Sequence, residues 1–70
     1  MQLFKNDSLI VSGLRLPTLK NKVKSFAVSA MVEYLEDKLG TADFGLKEVN
    51  DTKAVFEAEE GTFYTFRELI

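Results

Sequence analysis

Arg15, Lys20, Lys22 and Lys24 fall in the stretch LRLPTLKNKVKSF with no acid among them. They surround what reads as the start of the chain's one long helix. Cations sit poorly there, because the unpaired N–H groups of a helix start already carry partial positive charge, at about 0.3 to 1 kcal/mol per exposed charge. The same N–H groups, joined by a guanidinium and ammonium groups, suit a phosphate or a carboxylate. These four residues are therefore the candidate site for an anion or an acidic partner. On an ideal helix the three lysines point in different directions, so solubility is the simpler reading of each. Nucleic acid is the natural extension, with Phe63 and Phe4 as the aromatics available for base stacking. The net charge of −2, negative rather than basic, speaks against it.

Little else in the chain points to chemistry. Histidine, cysteine and tryptophan are absent, which removes the commonest general base, the softest nucleophile, the preferred ligands of zinc and any disulfide. There is no glycine-rich phosphate loop and no nucleophile elbow. Asp43 with Glu48, or Glu57 with Glu59, are the carboxylate pairs a hydrolase would use, but as strand and turn acids they are more simply solvated surface. A second cluster, Glu33, Glu36 and Asp37 on the helix, has the same reading. The expectation is a non-catalytic protein with no cofactor and no metal.

The elements that hold these residues follow from pattern. Asn6-Asp7 separates two short apolar segments, Met1 to Phe4 and Leu9 to Val11, as a hairpin turn does, and Leu14 and Leu16 extend the second. Pro17 ends that strand, Thr18 is placed as a helix N-cap, and a helix is expected from Leu19 to Leu39, closed by Gly40. Three strands follow: Phe44 to Val49, Lys53 to Ala58 and Thr62 to Arg67. A turn over Glu59-Glu60-Gly61 with a left-handed glycine sets Ala58 opposite Thr62, Phe56 opposite Tyr64 and Ala54 opposite Phe66, collecting the apolar residues on one side. The predicted fold is α+β: a single long helix packed on a small antiparallel sheet of three to five strands, in the order ββαβββ.

The helix carries more apolar surface than one packed face needs. Leu19, Val23, Phe26, Ala27, Ala30, Met31 and Tyr34 form a stripe suited to the sheet. Val28, Val32, Leu35 and Leu39 form another, and from Phe26 onward the apolar positions span roughly 240° against the roughly 100° of a single face. The N-terminal strands cover the second stripe, or the same stripe of another copy does, or it forms a groove for another protein's helix; the second makes these four residues the expected interface of a homodimer.

Length supports that expectation. Seventy residues make one domain, residues 1–70, whose core is barely sufficient, and without disulfides or metal the remaining help is oligomerisation. Residues 1–24 carry five cations and one acid while residues 25–70 carry four cations and ten acids, a separation that favours two electrostatic faces. No leader-like stretch follows Met1 and no membrane-length apolar run occurs, which predicts a cytoplasmic protein. The expected function is that of an inhibitor, adaptor or regulator, of the accessory kind a bacterium or phage carries, binding another protein as a homodimer. The alternative is a nucleic-acid-binding regulator using the basic segment.

Overall fold

The computed structural model describes residues 1–68 and bears out the α+β class: one helix lies on a five-stranded antiparallel sheet. In chain order the elements are β1 (Gln2–Lys5), β2 (Ser8–Val11), α1 (Ser25–Leu39), β3 (Gly45–Val49), β4 (Lys53–Glu57) and β5 (Phe63–Arg67). The sheet order is β2-β1-β5-β4-β3, so the first hairpin joins the last through β1 and β5.

Turn chemistry sets each register. Lys5 pairs with Ser8 across Asn6-Asp7, and Asn6 adopts a positive φ of 54°, a conformation asparagine tolerates better than most side chains. Asn6 also fastens the neighbouring strand. Its N–H donates to the Phe63 carbonyl at 2.7 Å, and its Oδ1 accepts the Phe63 N–H at 3.0 Å. In the last hairpin Ala54 faces Phe66 and Phe56 faces Tyr64, the Ala58 N–H donates to the Thr62 carbonyl at 3.0 Å, and Gly61 has φ +82°. The register expected from the turn is the one observed.

Strict alternation along β4 and β5 turns Ala54, Phe56, Tyr64 and Phe66 toward the helix, where they join Leu3, Leu19, Ala27, Met31 and Leu35 in the core. The Phe56 ring meets those of Phe44 and Phe66 edge to face at 5.9 and 5.8 Å, the geometry favoured by aromatic quadrupoles.

The helix departs from expectation at its start. It begins at Ser25, with Lys24 at the N-cap and no side-chain cap bond, rather than at Leu19 behind Thr18. Two hydrogen bonds, one long-range and one local, hold the preceding loop out of helical geometry: the Leu19 N–H donates to a Glu68 carboxylate oxygen at 2.7 Å, and the Lys20 N–H to the Thr18 hydroxyl at 3.1 Å. Leu19 reaches the core as an anchor of this loop, not as part of the helical stripe. At the other end Gly40 adopts the expected left-handed conformation, φ 71°, and donates to the Glu36 carbonyl.

The two helix stripes also require correction. Leu35 is 0% exposed within the single chain, and Val28, Val32 and Leu39 are half-buried against the same core. Phe26 and Val23, assigned to the sheet-facing stripe, are 72% and 68% exposed. Val23 lies outside the helix altogether. Without Phe26 and the half-buried Ala30, the inward arc from Tyr34 through Met31 to Val32 narrows to roughly 160° at 100° per residue, wide enough to include both proposed stripes. Leu35 is thus a core residue and not an interface residue, and its three companions already have partners inside the chain.

Candidate functional site

One of the four candidate cations is engaged within the chain. Lys24 is committed to the fold: its Nζ pairs with Asp51 in the turn between β3 and β4 and donates to the Asn21 carbonyl at 3.1 Å. Arg15, Lys20 and Lys22 are exposed on the loop that precedes α1 and make no ion pair among the described residues. Because this stretch is a loop, Lys20 and Lys22 precede α1 instead of lying in its first turns, and Lys24 takes the N-cap.

The two aromatics named for base stacking share one sheet face. Phe4 and Phe63 point away from α1, since alternation puts their neighbours Leu3 and Tyr64 in the core. Phe4 is not free, however: the Arg67 guanidinium lies 5.4 Å above its ring, a cation–π arrangement.

The carboxylates sort into engaged and free. Glu48 pairs with Lys53 at 3.5 Å and accepts from the Asn50 amide at 3.4 Å. Glu57 pairs with Lys47 at 3.5 Å and accepts the Gly61 N–H at 3.4 Å. Asp43, Glu59 and Glu60 make no ion pair among the described residues. Those three meet at an open groove of about 990 Å³ at the C-terminal end of α1, bounded by the segment 41–45, the end of β4 and the turn into β5. Lys5, Lys47 and Glu57 also reach it, and Leu39, Phe44 and Tyr64 supply its less polar lining. Among the described residues no group of three or more acids could hold a metal ion. The groove went unforeseen in the sequence because its walls come from five separate elements. One signal was present: among the buried residues of the sheet Tyr64 is the one hydroxyl, beside Leu3, Ala54, Phe56 and Phe66.

The sheet has two free edges of different character. β3 carries Lys47 and Glu48, with a register irregularity between Leu46 and Glu48, features that blunt an edge against pairing. β2 is Ser8-Leu9-Ile10-Val11, with no charge in the strand. Leu9 is 49% exposed and Ile10 is exposed beside it. The groups on the outer side of β2 make no backbone bond to any described residue. Among the described residues no helix is long and apolar enough to cross a membrane.

Comparison with family models, curated proteins and solved structures finds no match to this chain.

Proposed function

We propose that the protein is a non-catalytic interaction module that binds another protein and works as a homodimer. The observation that supports the dimer is the β2 edge, which replaces the helix stripe as the contact surface. It is uncharged, apolar and unpaired on one side. Pairing β2 antiparallel with β2 of a second copy satisfies its outer backbone groups and continues the sheet across a two-fold axis. A chain this small gains from the added burial, since its own core is barely sufficient. Binding of another protein is supported by the groove beside α1 and by the exposed apolar residues Val23, Phe26 and Leu46.

Light scattering tests the dimer. The natural chain is expected at twice the monomer mass at micromolar concentration, and Ile10→Lys, which places two ammonium groups at the contact, is expected to give folded monomer. A natural chain that stays monomeric at high micromolar concentration removes this reading.

The second reading, a nucleic-acid-binding regulator, is favoured by the three loop cations that make no ion pair among the described residues, Arg15, Lys20 and Lys22. It calls for retention on a DNA column that falls steeply with salt, is lost in Lys20→Gln/Lys22→Gln and is unchanged in Lys24→Gln.

A further inference from the structure

The inference concerns the groove at the C-terminal end of α1 and rests on the reading of the chain as a protein-binding module. Tyr64 is only 6% exposed, and its ring is packed in the core. Its hydroxyl makes no hydrogen bond to any described residue, yet no buried side-chain oxygen or nitrogen among those residues is left unsatisfied. The hydroxyl therefore meets solvent, and the cavity that Tyr64 lines is this groove. A phenol whose ring is packed in the core and which lines an open groove is a prepared donor.

Around it the charge is one-sided. Asp43, Glu57, Glu59 and Glu60 face the groove with Lys5 and Lys47. Glu57 is neutralised by Lys47 at 3.5 Å. That leaves three carboxylates without an ion pair among the described residues, opposed by Lys5 alone. A cationic occupant is complementary to such a site, and an anionic one is repelled. The volume, about 990 Å³, lies at the upper end of the roughly 300–1,000 Å³ of small-molecule sites, and the groove is open along one side. It also adjoins the Gly45 end of β3, an edge strand of the sheet.

We propose that this groove binds an extended segment of a partner protein bearing lysine or arginine. Its cationic side chains lie against Asp43, Glu59 and Glu60, and one of its carbonyls accepts the Tyr64 hydroxyl. The segment takes the specificity of the site from two terms that act together: charge at the rim and one fixed donor at the floor.

The chain has two tyrosines and no tryptophan, so in a Tyr34→Phe background the intrinsic fluorescence comes from Tyr64 alone. The probes are an eight-residue peptide alternating Lys and Val, its Glu–Val counterpart, and spermidine. The Lys–Val peptide is expected to change the Tyr64 emission saturably at low salt, and the Glu–Val peptide to leave it unchanged. In Asp43→Asn/Glu59→Gln/Glu60→Gln the affinity is expected to fall by about tenfold or more, which corresponds to about 1.4 kcal/mol. All three residues are exposed, and circular dichroism verifies that the triple variant is folded. Tyr64→Phe, followed by calorimetry, is expected to weaken the peptide severalfold without unfolding the chain. Absence of saturation, equal affinity in the triple variant, or spermidine binding as tightly as the peptide each overturns the proposal. The dimer reading is judged by mass and not by this titration, so a negative titration beside a dimeric natural chain removes the groove and leaves that reading standing.

Discussion

The side-chain carboxylate of Glu68 accepts the backbone N–H of Leu19 at 2.7 Å, joining residues 49 positions apart in the chain. Glu68 is itself held by its own N–H, which donates to the Thr52 carbonyl at 2.8 Å. The bond explains how an irregular segment keeps Leu19 fully buried. The Leu19 N–H lies outside any helix or strand and finds its acceptor in a side chain from the end of β5.

That relationship is directly testable. Glu68→Ala leaves the partly buried Leu19 N–H without its acceptor and is expected to lower stability by about 1–3 kcal/mol. Glu68→Gln keeps an acceptor oxygen of similar reach and is expected to lose less. Urea denaturation gives the two values, and hydrogen exchange at Leu19 is expected to speed up in the alanine variant. Equal stability of Glu68→Ala and the natural chain would show that the loop is held by its apolar contacts alone.

The reassigned helix faces make opposite predictions for two large apolar residues. Leu35→Ala opens a cavity in the core and is expected to cost about 2–5 kcal/mol. Phe26→Ser, at a position 72% exposed, is expected to change stability by no more than about 0.5 kcal/mol. Thermal denaturation of both variants decides the matter. A severe loss from Phe26→Ser with little from Leu35→Ala would restore the original helix stripe.

Gly61 carries a third prediction. Its φ of +82° lies in the left-handed region, and a Cβ built there meets nothing within 4 Å. Strain in Gly61→Val is therefore confined to the backbone, where a β-branched residue is a poor occupant. The expected loss is more than about 1 kcal/mol, with the native register retained in the amide spectrum. Unchanged stability would mean that the turn relaxes to another conformation.

The local elements were legible in the sequence wherever a short-range constraint governs. Asn6-Asp7, Gly40 and Gly61 mark backbone conformations that few residues adopt, and the two-residue period of Ala54, Phe56, Tyr64 and Phe66 has only one register that buries them together. Three decisions belonged to the tertiary structure. One is the start of the helix, because the bond from Leu19 to Glu68 depends on the closure of a 49-residue loop and competes with a helical turn that sequence spacing alone favours. Another is which apolar helix residues are inside, since the width of the buried arc is set by the sheet beneath it and not by the helix. The folded chain buries Leu35, half-buries Val28, Val32 and Leu39 against the same core and leaves Phe26 in solvent. The last is the groove, whose carboxylates and tyrosine are contributed by the segment after α1, by β4 and its following turn, and by β5. Only the pairing order β2-β1-β5-β4-β3 brings Lys5 to the same place, and strand order follows from the pairing of distant hairpins, which leaves no periodic trace in the chain.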